Sequence, residues 1–195
     1  MESQLQSKRN SSFRGAFFRS WLQDPFHVAS VVPSSRGLAR LMAKDLDADA
    51  RVVELGAGTG TLTQAIIERG VQPRNLYLVE QNAAFASILR IQFPAATVVQ
   101  ASAEFLPEHL SALTGTVDYV ISGLPILWFN KEKKTRILAG AFELLKPAGR
   151  YHQFTYLGRV PVGNRILDTL SLRTTLLGMA PMNLPPAFVY RFDRA

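Results

Sequence analysis

Short apolar runs alternate with helical stretches from residue 51 onward, and this alternation is the feature that most constrains the fold. The apolar runs are rich in β-branched residues, which is typical of buried strands. They occupy residues 51–55, 76–80, 96–100 and 117–122, and the predicted helices between or after them occupy residues 59–69, 82–92 and 131–145. Strands and helices in this order form a parallel sheet with helices on both faces. The sequence therefore predicts an α/β fold.

Further elements are predicted towards the end of the chain, and Asn82 is predicted to cap the helix that it precedes. These elements are a strand near 150–156 after the Pro147–Gly149 break, a helix at 162–170, a strand at 172–179 and a last strand at 187–193. The length of 195 residues suits one domain of this kind, which we place at residues 46–195.

The first 45 residues differ from the rest and are predicted to form amphipathic helices that act as a lid or as a membrane-binding segment. Residues 11–22 have a helical pattern with an aromatic stripe on one face. The stripe consists of Phe13, Phe17 and Trp21. A second helix is predicted at 35–44, with Ser34 or Ser35 as its cap. The aromatic stripe packs either on the protein's own core or into a membrane surface, and the pattern leaves both possibilities open.

Composition excludes several kinds of site. The chain has no cysteine, which excludes a disulfide framework, a thiolate zinc site and a cysteine nucleophile. We expect no metal ligand among His27, His109 and His152. No apolar run approaches the roughly 20 residues of a membrane-spanning helix, and the first twelve residues lack the apolar stretch of a secretory signal. We therefore expect a cytoplasmic protein.

Positive charge is concentrated towards the end of the chain. The net charge is +7, and residues 131–195 carry 11 basic side chains against 4 acidic ones. A basic surface attracts anionic partners, either nucleic acid or anionic lipid. The cluster of Lys131, Lys133, Lys134 and Arg136 is interpreted as a solvated helix face.

The segment VVELGAGTGTLT, residues 52–63, is the strongest functional signal. Its glycine-rich loop lies between a strand and a helix, where open α/β sheets bind ligands and the backbone must approach the ligand closely. The loop residues are Gly56, Ala57, Gly58, Thr59 and Gly60. Glu54, just before the loop, disfavours a diphosphate but suits the ammonium group of a methionine moiety.

A second acidic residue, Glu80, ends the next predicted strand, twenty residues after Gly60. A carboxylate at this position can accept hydrogen bonds from two ribose hydroxyls, and the adjacent Gln81 is placed at the same site. NAD or FAD is the rival ligand. It is disfavoured by Glu54, by Thr61 where the dinucleotide fingerprint has a glycine, and by a chain too short for a separate catalytic domain.

The sequence ELGAGTG followed by a strand-end Glu resembles two motifs of class I S-adenosylmethionine-dependent methyltransferases, motif I and the acidic-loop motif. The resemblance covers about residues 30–195 and implies a Rossmann-like fold, a seven-stranded, mostly parallel sheet whose last strand is antiparallel. The implied cofactor is S-adenosyl-L-methionine, with S-adenosyl-L-homocysteine as its product. Residues expected to border the adenine are Ser102, Ala103 and Glu104. Many members have an acid where this chain has Ser102, so Ala103 or Glu104 is the alternative contact.

The residues after the fourth predicted strand, Ser122-Gly123-Leu124-Pro125-Ile126, are expected to face the transferable methyl group. In enzymes that methylate exocyclic amines of nucleobases, this segment resembles NLPY or DPPY. There the Asn or Asp binds the amino group and the aromatic ring stacks on the base. In this chain Gly123 replaces the polar side chain and Ile126 replaces the ring, which disfavours a nucleobase acceptor.

A more specific resemblance, to bacterial phospholipid N-methyltransferases, covers nearly the whole chain from about Phe17. Besides the glycine loop, it is carried by the segments PSSR, ISGLP, QFTY and NLPPAFVYRF. That family converts phosphatidylethanolamine to phosphatidylcholine by successive methylations. The resemblance implies a monomeric enzyme that lies on the inner face of the cytoplasmic membrane, methylates a lipid amine and binds no nucleic acid.

Acceptor-site roles accompany this resemblance. Tyr156 and Gln153 are the first candidates for orienting the amine, and Ser122 and the Gly123 backbone are the second. The cationic product is expected to favour aromatic neighbours. The candidate aromatic residues are Trp128, Phe129 and Tyr151, each of which alternatively belongs to the core.

Further residues of the chain are assigned to the cofactor, the lipid phosphate or the membrane. Ser34 and Ser35 are placed at the cofactor site, and Arg36 or Arg159 is expected to bind the lipid phosphate. The residues expected to contact an anionic membrane surface are Phe13, Arg14, Phe17, Arg19 and Trp21. Two other acceptor classes stay open. One is RNA, as in the adenine-dimethylating enzymes, and the other is small amines. A binding protein without turnover is the non-enzymatic alternative.

Overall fold

The computed structural model describes residues 35–183 and 185–195 of the chain. Several predicted site residues lie outside this description, either entirely or in their side chains. They are Phe13, Arg14, Phe17, Arg19, Trp21 and Ser34, together with the side chains of Ser35 and Arg36. Their assigned roles therefore stay predictions, as does the boundary at residue 45.

Seven strands and six α-helices alternate along the described residues. The strands are β1 (Val52–Leu55), β2 (Leu76–Val79), β3 (Thr97–Val99), β4 (Val117–Ser122), β5 (Leu145–Thr155), β6 (Leu172–Ala180) and β7 (Ala187–Arg194). The helices are α1 (Ser35–Met42), α2 (Thr61–Glu68), α3 (Ala83–Gln92), α4 (Leu106–Leu110), α5 (Lys131–Leu144) and α6 (Asn164–Thr169). Short 3₁₀ turns lie at Pro73–Asn75, Ala103–Phe105, Ser111–Leu113 and Ile126–Trp128.

All seven strands form one sheet in the order β3-β2-β1-β4-β5-β7-β6. Strand β7 is antiparallel to both of its neighbours, and the other strands run parallel to one another. The predicted α/β fold, with a seven-stranded, mostly parallel sheet and an antiparallel last strand, is confirmed. The chain reverses its direction of winding between β1 and β4, so their carboxyl ends form the crevice where open α/β sheets bind ligands.

Two element boundaries differ from the predicted ones for identifiable reasons. Helix α2 begins at Thr61 rather than at residue 59, because Gly58 and Gly60 have left-handed backbone conformations that an α-helix does not allow. Strand β5 begins at Leu145, which pairs with Val117, and its ladder with β4 resumes only at Arg150. The residues between these two pairs include the predicted Pro147–Gly149 break, which interrupts the ladder without ending the strand.

Both faces of the sheet are buried, as a parallel sheet requires. In β1, Val53 and Leu55 face one core cluster and Val52 faces the other. Helix α5 covers the first cluster, while α1, α2 and α3 supply side chains to the second. The helix residues in the first cluster are Ile137, Leu138, Ala141, Phe142 and Leu144 of α5, with Leu106 and Leu110 of α4 and Ile166 of α6. Those in the second are Leu38 and Met42 of α1, Ile66 of α2 and Leu89 of α3.

Buried polar contacts attach the end of α1 to the sheet. The fully buried His152 lies on β5, and its Nδ1 is 2.8 Å from the carbonyl oxygen of Met42, to which it donates. The Tyr119 hydroxyl on β4 donates to the carbonyl of Asp45 at 2.7 Å. Burial lowers the pKa of His152, and its Nε2 has no hydrogen-bond partner among the described residues. Neutral His152 therefore stabilises the packing of α1.

We expect this histidine to make the fold sensitive to acid. The pKa of His152 is lower in the folded chain than in the unfolded chain. Its contribution to the free energy of unfolding is therefore present above about pH 6.5 and is lost as the pH falls below that value. Urea unfolding of the wild type and His152→Leu, measured from pH 5 to pH 8, tests this expectation. The variant should be less stable at pH 8 by about 1–3 kcal/mol, because Met42 loses its donor, and should depend less on pH. Parallel pH curves for the two proteins would contradict it.

Candidate cofactor and acceptor site

The glycine-rich loop between β1 and α2 has a backbone that requires glycine. Gly56, Gly58 and Gly60 have φ angles of 71°, 54° and 82°, in the left-handed region that other residues rarely adopt. A Cβ added at Gly60 would lie 2.5 Å from the Cε2 atom of Phe93. The backbone N–H of Gly56 donates to the carbonyl of Val79 on β2 at 2.8 Å. The predicted loop therefore forms at the carboxyl edge, with no side chain on its glycines to obstruct a ligand.

Glu54 lies in β1 beneath this loop and is completely buried. Its Oε2 accepts a hydrogen bond from the Thr63 hydroxyl at 2.7 Å, and its Oε1 has no partner among the described residues. Burial raises the pKa of Glu54 to about 8. A buried carboxylate oxygen without a donor fits a ligand that brings a positive charge and N–H groups. The ammonium of the methionine moiety in S-adenosylmethionine meets that requirement.

Glu80 follows β2 and joins the glycine loop to the start of α3. Its Oε2 accepts from the backbone N–H of Gly58 at 2.9 Å, and its Oε1 accepts from the backbone N–H of Asn82 at 2.8 Å. Asn82 is the N-cap of α3, as predicted, because its side chain accepts from the N–H groups of Ala84 and Phe85. Each carboxylate oxygen keeps a lone pair, so Glu80 can still accept from ribose hydroxyls. Gln81 lies beside it and is exposed.

The segment predicted to border the adenine follows β3. Ala103 is buried, and the Ser102 hydroxyl accepts from the backbone N–H of Glu104 at 3.4 Å. The Glu104 carboxylate is 2.9 Å from Lys133 Nζ and 2.9 Å from Arg136 Nη2, both on α5. Hydrogen bonding to Lys133 lowers the pKa of Glu104. Arg136 is 58% exposed and Lys131 is exposed, in agreement with a solvated face, whereas Lys133 is half-buried where it pairs with Glu104.

The acceptor loop after β4 lies against the glycine loop. The backbone N–H of Gly123 donates to the carbonyl of Leu55 at 2.8 Å, and a Cβ at Gly123 would lie 3.0 Å from the carbonyl oxygen of Gly56. Ser122 is fully buried, and its hydroxyl accepts from the backbone N–H of Leu124 at 3.3 Å. The two predicted halves of the site are therefore in backbone contact, and Ser122 shapes the loop that joins them.

Gln153 holds the acceptor loop through its side-chain amide. Its Nε2 donates to the carbonyls of Leu124 at 2.9 Å and Phe154 at 3.0 Å, while its Oε1 accepts from the Tyr151 hydroxyl at 3.0 Å. Both amide hydrogens are therefore used within the protein. These hydrogen bonds differ from the predicted contact between Gln153 and an acceptor amine. They make Gln153 a positioning residue for the acceptor loop.

Tyr156 lies just beyond β5 and is partly buried. Its ring meets the Phe154 ring edge-on at a centroid distance of 5.4 Å. Burial raises the pKa of Tyr156, and a hydrogen bond to Asn183 opposes this change. Asn183 itself is buried in the loop between β6 and β7. Sequence reasoning did not select Asn183, because only the folded chain brings this loop to Tyr156.

The candidate aromatic residues do not share one environment. Tyr151 is fully buried in the core, whereas Trp128 is 53% exposed in the acceptor loop. The ring of Phe129 has the Lys133 ammonium 4.6 Å above its centroid. Ile126, which takes the position of the base-stacking ring, is 1% exposed and belongs to the core. The described loop therefore offers no aromatic ring at the position where nucleobase enzymes stack their substrate.

The part of the chain that the structure describes contains neither a metal-binding cluster nor a membrane-spanning helix. Residues 35–183 and 185–195 contain no cluster of three or more His, Cys, Asp or Glu side chains suited to a metal ion. No helix within these ranges combines the length and the apolar character needed to cross a membrane.

A curated relative matches nearly the whole chain. It is the ornithine lipid N-methyltransferase of Singulisphaera acidiphila, which is 32% identical over 186 residues, covering 91% of this chain and 92% of the relative. Residues 52–149 match the family described as a methyltransferase domain. This matched range runs from β1 through the whole of α5 into the first residues of β5, and therefore includes the glycine loop, Glu80 and the acceptor loop.

Solved structures of other methyltransferases share the fold. The 1,6-didemethyltoxoflavin-N1-methyltransferase of Burkholderia thailandensis, solved with S-adenosylhomocysteine, has a TM-score of 0.69 at 15% identity and covers 97% of this chain and 90% of its own. A TehB-like S-adenosylmethionine-dependent methyltransferase from Corynebacterium glutamicum has a TM-score of 0.67 at 14% identity. The match covers 93% of this chain and 100% of the Corynebacterium chain.

The site geometry and the family match lead to one conclusion about the cofactor. The Glu54 carboxylate oxygen that lacks a partner within residues 35–183 and 185–195, the glycine loop and the strand-end Glu80 fit S-adenosylmethionine, which is the cofactor of this family. The chain belongs to the S-adenosylmethionine-dependent methyltransferases with the class I fold.

Proposed function

We propose that this enzyme methylates the primary amine of a membrane lipid headgroup, with phosphatidylethanolamine and its mono- and dimethyl derivatives as acceptors on the way to phosphatidylcholine. The observation that carries the proposal is the acceptor loop, in which Gly123 and the buried Ile126 replace the side chains that bind a nucleobase. The similarity to an ornithine lipid N-methyltransferase supports a lipid amine and makes ornithine lipid the second candidate acceptor.

Bound S-adenosylmethionine supplies an activated methyl group, so the protein's task is to bring an amine lone pair into line with it. The amine must arrive neutral, although a primary amine such as that of lysine has a pKa near 10.4 in water. The apolar surroundings of the loop disfavour the charged form. We assign the Tyr156 phenol, which hydrogen bonds with Asn183 and whose pKa is raised by burial, to hydrogen bond with an amine N–H. Gln153 and Ser122 keep the acceptor loop in place.

Membrane contact is proposed for the N-terminal segment. Its aromatic stripe suits shallow insertion, and its basic side chains suit an anionic surface, each contributing about 1 kcal/mol. Arg36 and Arg159 remain candidates for the lipid phosphate. We propose a monomeric, peripheral enzyme at the inner face of the cytoplasmic membrane, with no nucleic-acid partner.

A methyl-transfer assay with purified protein and radiolabelled cofactor tests the acceptor class. Vesicles that contain phosphatidylethanolamine, vesicles that contain ornithine lipid, total RNA and ethanolamine are compared. We expect label in the methylated derivatives of phosphatidylethanolamine. Label in ornithine lipid alone would make ornithine lipid, rather than phosphatidylethanolamine, the acceptor. Label in RNA or in free ethanolamine alone would refute a lipid N-methyltransferase.

Glu54→Gln tests the charge beneath the glycine loop. We expect cofactor affinity to fall about 10- to 100-fold, because the bound ammonium favours the ionised form of Glu54 and has no such partner in the variant. Calorimetry measures the affinity, and Glu68→Gln on the exposed face of α2 is the matched control. The folded state favours protonated Glu54, so wild-type stability without cofactor should fall as the pH rises from about 4.5 to 8, and this fall should be weaker in the variant. Unchanged affinity in Glu54→Gln would exclude this role.

Tyr156→Phe tests the orientation of the amine. Loss of the hydroxyl should lower kcat by about 10- to 100-fold, which is the scale of a single hydrogen bond that acts on the reacting group. Cofactor affinity should stay within about twofold of the wild-type value, since Tyr156 is assigned to the acceptor. Asn183→Ala, which frees the phenol without removing it, should give a smaller loss. Equal rates for wild type and Tyr156→Phe would remove Tyr156 from the reaction.

A further inference from the structure

Lys134 differs from the other basic residues of α5 in the direction of its side chain. It lies in the first turn of the helix, which Asn130 caps by accepting from the backbone N–H of Lys133 at 2.8 Å. Its Nζ reaches back to the acceptor loop and donates to the carbonyl of Leu127 at 3.0 Å. The side chain is half-buried there, which is uncommon for lysine without a counterion. Two of its three N–H donors remain for another partner.

Arg159 contributes a second positive charge at the same edge of the sheet. It is exposed in the loop after β5, the strand next to β4 in the sheet. Strands β4 and β5 end together, with Ser122 paired to Gln153, and the Gln153 side chain links their loops through Leu124. Burial and then the charge of Arg159 lower the pKa of Lys134. Because β4 and β5 end at the same edge of the sheet, the fold places both cations at the acceptor edge.

No carboxylate compensates this pair among the described residues. Glu104, the acidic side chain that meets the start of α5, is taken by Lys133 and Arg136. None of the ion pairs within residues 35–183 and 185–195 includes Lys134 or Arg159. Two like charges at one edge repel each other, and an anion bound by both offsets that repulsion. The arrangement therefore favours an oxyanion that accepts hydrogen bonds from both side chains.

We infer that Lys134 and Arg159 form a headgroup oxyanion site, which binds the acidic group that accompanies the reacting amine of the acceptor lipid. The inference rests on the proposed function and extends it, because it assigns the part of the headgroup next to the amine. In phosphatidylethanolamine the oxyanion is the phosphate, and in ornithine lipid it is the carboxylate. Lys134 acts as a specificity residue that distinguishes these zwitterionic headgroups from a simple amine.

A kinetic comparison separates this site from general attraction to an anionic membrane. Lys134→Met and Arg159→Gln remove the two charges, and Lys131→Met removes an exposed charge from the same helix as a matched control. We expect the first two variants to raise the KM for phosphatidylethanolamine about 10- to 100-fold and the control to change it less than about twofold. Cofactor affinity, measured by calorimetry, should be unchanged in all three. An equal KM effect in Lys134→Met and Lys131→Met would overturn the site.

A labelling experiment tests the site without turnover. The holoenzyme with S-adenosylhomocysteine is treated with limiting acetic anhydride, and acetylation of Lys134 and Lys131 is followed by mass spectrometry. Because both ligands consume reagent through their own amine, the readout is the ratio of Lys134 to Lys131 acetylation. Dihexanoyl phosphatidylethanolamine should lower this ratio, whereas ethanolamine should leave it unchanged. Equal protection by inorganic phosphate at the same concentration would overturn the headgroup assignment, and absence of protection by the lipid would overturn the site. Failure of the proposed function appears separately, as a wild-type protein that methylates no lipid.

Discussion

The backbone contact between Gly123 and the end of β1 sets the geometry on which the rest of the site depends. The Gly123 N–H donates to Leu55 at 2.8 Å, and any Cβ at Gly123 would press on the Gly56 carbonyl at 3.0 Å. This contact brings the loop that follows β4 against the loop that holds the cofactor. Glu80 and Gln153 then fix the two loops from opposite sides, one through Gly58 and the other through Leu124.

The order of strands and helices, the glycine loop and both strand-end acids could be predicted from sequence, because each depends on residues close together in the chain. The partners of Glu104 could not, because Lys133 and Arg136 lie about thirty positions away and reach it only after α5 packs. For the same reason, no pattern indicates that the Gln153 amide is occupied by backbone carbonyls or that Asn183 meets Tyr156. Local sequence identifies which groups are present, and packing decides which remain available for chemistry.

Charge is distributed in the site according to what each region binds. The cofactor side carries acidic side chains, with Glu54 buried beneath the loop and Glu80 at its edge. The acceptor side carries Lys134 and Arg159, which lie beyond the neutral loop that follows β4. A zwitterionic headgroup matches this order of charges. Its amine faces the acidic cofactor side, and its anionic group, a few bonds away, faces Lys134 and Arg159. A planar, uncharged base matches neither the electrostatics nor the buried Ile126.

The burial of Glu54 has a consequence for the end of the catalytic cycle. S-adenosylmethionine and S-adenosylhomocysteine carry the same amino-acid moiety, and they differ at the sulfur. A contact between Glu54 and the ammonium therefore stabilises the spent cofactor as much as the fresh one, which is uniform binding and leaves the barrier to chemistry unchanged. Strong retention through Glu54 should make the enzyme susceptible to inhibition by its own product. Discrimination between the two forms must then come from groups near the sulfur, at the junction of the Gly56 and Gly123 loops.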